Sequence, residues 1–319
     1  MSIIQITKSG TKFSGSEQEL QQMHNKFKQD HCIMLQKFLE PGLLHFIQQK
    51  ITESGFYEKK YKVDDEKVVD YKPRDKTINS LLRFLINDKK LFKLIEKITD
   101  GPQIGSFNGV TLRMTQDYGN HVTWHNDMGN NRLIGISINL STDIYSGGIF
   151  QIRNYNSKQI IHEIANTGFG DCIVFSVSSR LEHRVTKVEN KTSRTVFAGW
   201  FRSKPDYCLM LKENPAQLKN EHKKTITISK LSPVVLKQEV LSHSTSKHML
   251  IFNPDNGTSY KLDPVGKKIL DLLEKPITPT EISNLLSNEY EIDPIRCKED
   301  ILKVLHQLLM NDLIVTCKK

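Results

Sequence analysis

No run of about 18 apolar residues occurs in the 319-residue chain, which argues against a membrane-spanning helix. The opening "MSIIQITKSG" lacks the charged, then apolar, then small-residue order of a secretory signal, so a cytoplasmic protein is expected. Cysteine is scarce: Cys32, Cys172, Cys208, Cys297 and Cys317 are odd in number, widely spaced and include no CxxC pair. Neither a disulfide framework nor a zinc–thiolate site fits that spacing, and reduced packing thiols are expected. A strongly charged tail is missing too. The net charge is +9, but residues 206–319 carry 16 Lys+Arg against 15 Asp+Glu, so the excess lies in residues 1–205. Much of it falls in "EKKYK" and "NDKKLFKLIEK", which read as solvated helical faces rather than a nucleic-acid surface. What remains, 38% hydrophobic and 25% charged residues, is the balance of a globular protein with a substantial core.

Three textures follow one another along the chain. Residues from about 30 to 100 read helical, with Leu81, Leu82, Leu85, Leu91, Leu94, Ile95 and Ile98 near a 3.6-residue period. Pro41-Gly42 opens the first of these helices and Asp100-Gly101-Pro102 closes the last. From about 105 to 203 come short alternating runs, "VTLRMTQ", "RLIGISINLS", "GGIFQIRNY", "GDCIVFSVSS" and "RTVFAGWFRS", bounded by Gly, Asn, Asp or Ser. That is the pattern of antiparallel strands in a sandwich or barrel. In "RLIGISINLS" one face is apolar, while Leu133, Gly135, Ser137 and Asn139 give a smaller, more polar face suited to a cavity wall. Residues 206–228 read as a polar linker. From 229 to 319 three β-like runs precede three helices and a short closing strand. Thr278, Pro279 and Glu281 form a capping box at the second helix, and Ile301, Val304, Leu305, Leu308 and Leu309 make the apolar stripe of the third.

The stretch "YGNHVTWHNDMG" carries the chemistry. His125 and Asp127 stand at i and i+2, which on a strand leave the same face. Two imidazoles and one carboxylate on one face of an octahedron make a ferrous site with open positions, so a second histidine must come from elsewhere. His183 stands 58 residues on, after "DCIVFSVSS", and Arg194 eleven residues later at the head of "RTVFAGWF". Each alone is an ordinary surface or core residue; the set points to a metal. Trp124 and Trp200 read as packing residues or pocket walls. By strand alternation Arg113 and Thr115 lie opposite Leu112 and Met114 and are candidate cosubstrate or substrate contacts, as is Asn139.

From about 105 to 203 the chain resembles the 2-oxoglutarate- and Fe(II)-dependent dioxygenases, most closely the prolyl-4-hydroxylase-like branch. The matching residues are Tyr118-Gly119 before His125 and Asp127, Asn139 to Ser141 followed by Gly147-Gly148, and Gly170-Asp171, Phe175 and "LEHRV" around His183. Arg194 stands where much of the branch has Lys, a mild departure because a guanidinium forks onto a carboxylate. The resemblance implies an α+β, mainly β fold: a double-stranded β-helix, or jelly roll, over about 105–203, with supporting helices over about 30–104. It further implies Fe(II) held by His125, Asp127 and His183, 2-oxoglutarate anchored by Arg194, O2 as oxidant and ascorbate as a helper.

The order of elements in 229–319 is that of a small winged-helix-like β3α3 module. Its third helix offers Lys303 beside Glu299, Asp300 and Asp312, which argues against DNA. The segment resembles the PqqD-like peptide-recognition elements, in Pro233-Val234, Tyr260 to Asp263, Gly266 to Leu273, "TPTEI" at 278–282, "LLSNEY" at 285–290, and Asp300 to Ile314. That resemblance implies that a precursor-peptide leader adds as a β-strand, with Ser259, Tyr260 and Leu262 and the flank of Ile301, Val304, Leu305 and Leu308 as docking surface. Together the two resemblances point to an oxygenase that hydroxylates or otherwise oxidises a side chain of a ribosomally made precursor peptide in natural product biosynthesis. Two other readings stay open: a dioxygenase acting on a free amino acid, a small metabolite or a protein prolyl residue, and a DNA- or protein-binding regulator that senses oxygen or 2-oxoglutarate.

Overall fold

The computed structural model describes residues 3–63, 66–115, 122–165, 167–189, 191–203, 232–244, 249–291 and 293–317. Tyr118-Gly119, Cys208 and the expected linker 206–228 lie outside the described residues. Two compact units form, Met1–Met210 and Leu211–Lys319. No helix among the described residues is long and apolar enough to cross a membrane.

The first unit opens with a hairpin of β1 (Ile4–Thr7) and β2 (Gly10–Phe13), then α1 (Glu17–Asp30), β3 (Cys32–Leu35) and α2 (Pro41–Ser54). A hairpin of β4 (Phe56–Val63) and β5 (Glu66–Pro73) follows, then α3 (Thr77–Ile86) and α4 (Lys89–Thr99). The expectation of a helical 30–100 is therefore corrected: "EKKYK" lies in β4, and β3 also interrupts the helices. In "FYEKKYKV" and "EKVVDYKP" the aromatic and β-branched residues favour strands, and the two runs pair in register from Phe56 opposite Pro73 to Val63 opposite Glu66.

Eight strands complete the unit: β6 (Ser106–Met114), β7 (Val122–His125), β8 (Arg132–Asn139), β9 (Phe150–Asn154), β10 (Ile160–Ile164), β11 (Cys172–Ser176), β12 (Leu181–Val185) and β13 (Arg194–Arg202). They build a seven-stranded sheet ordered β3-β11-β8-β13-β6-β5-β4 and a four-stranded sheet ordered β10-β9-β12-β7. Residues of both sheets share one core, in which Cys32, Ile173 and Phe175 meet Phe150, Ile152, Ile164 and Leu181. Two antiparallel sheets closed over a common interior are a jelly roll, as expected.

Side-chain alternation divides the larger sheet into a helix face and an interior face. Phe107, Phe197 and Phe201 bury themselves on the helix side, where Phe92 of α4 meets Phe201 edge-on at 5.8 Å. Each such ring contributes about 1.5–3 kcal/mol of burial. The opposite face carries Asn108, Val110, Leu112 and Met114 of β6 beside Arg194, Val196, Ala198, Trp200 and Arg202 of β13. Gly135, Ser137 and Asn139 of β8 sit on that face too, opposite Trp200, Ala198 and Val196. A Cβ on Gly135 would come within 2.1–2.7 Å of the Phe175 ring, so only glycine lets that ring lie over β8. Near the start of β8 the register slips. Phe201 faces Ile134, but Arg202 faces Arg132, leaving Leu133 as the extra residue of a bulge.

The second unit contains β14 (Val234–Leu236), β15 (Leu241–Ser244), β16 (Met249–Asn253), β17 (Thr258–Leu262), α5 (Pro264–Leu272), α6 (Pro279–Tyr290), α7 (Pro294–Met310) and β18 (Ile314–Thr316). The first expected β-like run is divided, because a turn at Lys237–Val240 sends β14 to pair with β18 and β15 to pair with β16. β15, β16 and β17 form a three-stranded sheet with β17 at its edge. Thr278 and Glu281 close the expected capping box, and Asp263 and Asp293 cap α5 and α7.

Candidate metal centre and peptide edge

His125 ends β7, and in the antiparallel register with β12 it stands directly opposite His183. Cross-strand partners share a face, so the two rings meet with centroids 4.3 Å apart. Asp127 arrives differently from expectation. It lies past the end of the strand with φ 55°, so a left-handed turn rather than the strand pleat folds its carboxylate back. Asp127 Oδ2 is 3.1 Å from His183 Nε2, and Oδ1 is 3.6 Å from His125 Nε2. The ligand atoms of all three residues lie within 4.8 Å of one another. Adjacent ligands of an octahedral ion with bonds of about 2.1 Å stand roughly 3.0 Å apart, so this donor set fits a divalent cation with little movement.

Hydrogen bonds prepare the ligand atoms. His125 Nδ1–H donates to the Thr123 carbonyl at 2.7 Å, which fixes the ring and turns Nε2 toward Asp127. His183 is buried, packed on Phe175 at 4.5 Å and Phe150 at 5.8 Å between centroids. Burial lowers the His183 pKa below the ordinary histidine value and keeps the ring neutral. On His125 burial also opposes charge, but hydrogen bonds to Asp127 and Thr123 outweigh it and the pKa is raised. Burial alone would raise the Asp127 pKa; the bonds from His125 and His183 hold it far below the usual carboxylate range instead.

Two further residues grip Asp127. Trp200 Nε1–H donates to Oδ2 at 2.8 Å, and Arg132 donates to Oδ1 at 3.1 Å while its guanidinium lies 3.7 Å from the centre of the Trp200 ring. Sequence reasoning missed both roles. The available signal was parity, since Trp200 stands six residues after Arg194 on the same strand and therefore on its face. Trp124, by contrast, turns away from His125 and meets the guanidinium groups of Arg153 and Arg184, 4.0 and 4.6 Å from its ring centre.

Arg194 is 2% exposed, and among the described residues no carboxylate pairs with it. Its nitrogens meet Tyr145 Oη at 3.3 Å, Met114 Sδ at 3.4 Å and Ser137 Oγ at 3.5 Å, all long contacts. A Cβ on Gly148, whose φ is 62°, would come within 2.7 Å of Arg194 Cδ, so this glycine leaves the room the side chain uses. A buried cation so weakly answered is a ready anion site.

The other candidates belong elsewhere. Arg113 leaves β6 on the side opposite Arg194, where it donates to Thr195 Oγ1 and stacks 3.7 Å from the Phe56 ring centre. Thr115 follows on Arg113's side by the same alternation. The Asn139 amide is spent on the loops, donating to the Thr167 carbonyl at 2.7 Å and accepting from the Ser141 N–H at 3.0 Å. None of the three is therefore placed as a cosubstrate contact. In the second unit Ile301, Leu305 and Leu308 are buried in the core, so they offer no docking flank; Val304 is half-buried against the same core. Tyr260 and Leu262 also pack on it, with Tyr260 Oη–H donating to Asn311 Oδ1. What β17 does present is its outer backbone edge, unpaired among the described residues.

Residues 110–202 match the model of the 2OG-Fe(II) oxygenase superfamily, and residues 248–314 that of coenzyme PQQ synthesis protein D (PqqD). The chain carries a 2OG-Fe(II) oxygenase domain followed by a PqqD domain. It is an oxidoreductase, and Fe(II), 2-oxoglutarate and O2 are its cofactors and oxidant. No curated protein matches. Among solved structures, the oxygenase domain is similar to a 2OG-Fe(II) oxygenase family oxidoreductase from Burkholderia pseudomallei, at 14% identity and TM-score 0.46, over 60% of this chain and 95% of that one. It is also similar to a prolyl hydroxylase from Trichoplax adhaerens, solved with a hypoxia inducible factor peptide fragment, at 15% identity and TM-score 0.44, over 60% and 94%. The PqqD domain is similar to the PqqD truncation of Methylobacterium extorquens PqqCD, at 22% identity and TM-score 0.25, over 28% and 95%.

Proposed function

We propose that this oxygenase oxidises a side chain of a ribosomally made precursor peptide whose leader docks on the PqqD domain, and that the metal is held by His125, Asp127 and His183. The observation that carries the metal assignment is the spacing of the three ligand atoms around one point. Loaded with Fe(II), 2-oxoglutarate and O2, such a site oxidises an unactivated C–H bond and releases succinate and carbon dioxide.

The chain's own residues prepare that chemistry. Thr123 fixes the His125 tautomer, Phe150 and Phe175 shield His183 from water, and Trp200 with Arg132 sets the rotation of the Asp127 carboxylate. Arg194 answers the far carboxylate of 2-oxoglutarate, assisted by the Tyr145 and Ser137 hydroxyls. On the PqqD domain the open edge of β17 suits an added peptide strand, whose backbone would bond to that edge. A leader held there delivers the core peptide at high local concentration, and both domains in one chain support that division of labour. A cytoplasmic location belongs to the same proposal.

Co-expression with the precursor peptide tests it by intact mass. A gain of one oxygen atom indicates hydroxylation and a loss of two hydrogens desaturation or ring closure. An unmodified peptide, with succinate still formed from other substrates, would remove the peptide from the reading and leave the oxygenase.

A further inference from the structure

Three buried polar atoms without a hydrogen-bond partner fall on one patch: Arg132 Nε, Arg202 Nε and Asn108 Oδ1. In register, Asn108 stands opposite Trp200, and Arg202 stands opposite Arg132. Arg202 follows Trp200 by two residues, so its side chain leaves the sheet on the same face. Arg132 is placed there by its stacking on the Trp200 ring. Among the described residues Arg202 has no acidic partner, and the carboxylate that Arg132 touches, Asp127, is already shared with Trp200 and the two histidines. Arg132 and Arg202 are both half-buried on paired positions, and Arg202 meets no carboxylate among the described residues, a charge that an anionic ligand would answer.

Their position says which ligand. Arg194 and Arg202 stand at opposite ends of β13, roughly 26 Å apart at about 3.3 Å per residue. Asp127 is tied to Trp200 between them. A cosubstrate anchored at Arg194 therefore leaves the Arg202 end of the interior free. Forked N–H donors suit a carboxylate. We propose that Arg132 and Arg202 form a substrate subsite for the side-chain carboxylate of an Asp or Glu in the peptide segment that reaches the metal. The proposal rests on the metal and cosubstrate assignment above and names the class of residue that assignment leaves open.

The test uses the full chain loaded with Mn(II) and 2-oxoglutarate and reads paramagnetic broadening of the methyl protons of three probes. N-acetyl-aspartate amide presents a side-chain carboxylate, N-acetyl-asparagine amide its neutral counterpart, and N-acetyl-alanine a terminal carboxylate. The aspartate probe should be broadened at least about tenfold more strongly than the asparagine probe, the effect of one charge-assisted hydrogen bond. R202Q should remove that difference, and R202K should keep part of it, which separates loss of charge from misfolding. Equal broadening by the aspartate and asparagine probes, no broadening by the aspartate probe, stronger broadening by N-acetyl-alanine, or an R202Q protein that still discriminates would each overturn the proposal. A Mn(II) titration distinguishes the deeper failure: a wild-type protein that takes up no Mn(II) overturns the metal assignment itself, and this subsite with it.

Discussion

Trp200 donates its indole N–H to Asp127 across 2.8 Å, joining two residues 73 positions apart in the chain. The bond links β13, which also carries Arg194, to the turn that supplies the carboxylate. Arg194 and the turn that carries Asp127 are thus braced by one strand.

Trp200→Phe keeps an aromatic ring beneath Arg132 but removes this bond. Metal affinity should fall by roughly 10- to 100-fold, the usual cost of losing a hydrogen bond that orients a ligand. Titration with Mn(II) reads it directly, and an unchanged affinity would mean that Trp200 only packs.

Asp127→Ala and His183→Ala should each abolish succinate formation while the far-ultraviolet circular dichroism stays that of the parent. Wild-type turnover in both would dismiss the metal assignment.

Arg194→Met exchanges a buried, weakly answered cation for an apolar side chain of similar length. The Kd for 2-oxoglutarate should rise by about 30- to 100-fold, equivalent to ~2–3 kcal/mol of charge-assisted bonding. In the absence of 2-oxoglutarate the variant should melt at or above the parent's temperature, because an uncompensated buried charge has been removed. Calorimetry gives both numbers, and an unaltered Kd would take Arg194 out of the site.

A leader strand on β17 should protect the amides of Thr258–Leu262 from hydrogen exchange. Exchange there that is indifferent to added leader peptide would mean that the peptide docks elsewhere or not at all.

Some of this was legible in the sequence because pattern and geometry coincide. His125 ends one short strand, His183 stands in the middle of another and Arg194 opens a third, all in runs bounded by readable turn residues, and the structure sets the two histidines opposite each other. Asp127 was expected on the pleat, yet reaches the histidines through a left-handed residue, a backbone choice that spacing cannot reveal. Arg113 and Arg194 look equally plausible as strand arginines; only the pairing of Arg194 with Met114 and of Thr195 with Arg113 shows that they face opposite ways. The β4–β5 hairpin was hidden because Lys-rich runs resemble solvated helices. In α7 the apolar stripe was plain, but a stripe says that a face is covered, not whether the domain's own core or a visiting peptide covers it. Ile301, Leu305 and Leu308 turn out to serve the core.

The bulge at Leu133 carries a consequence for how such a pocket can diversify. Had β8 met β13 without the extra residue, Leu133 would face Arg202 and Arg132 would turn toward the helices. A one-residue shift in the pairing of β8 would then set an apolar side chain instead of a guanidinium beside Arg202, with no change in amino-acid content.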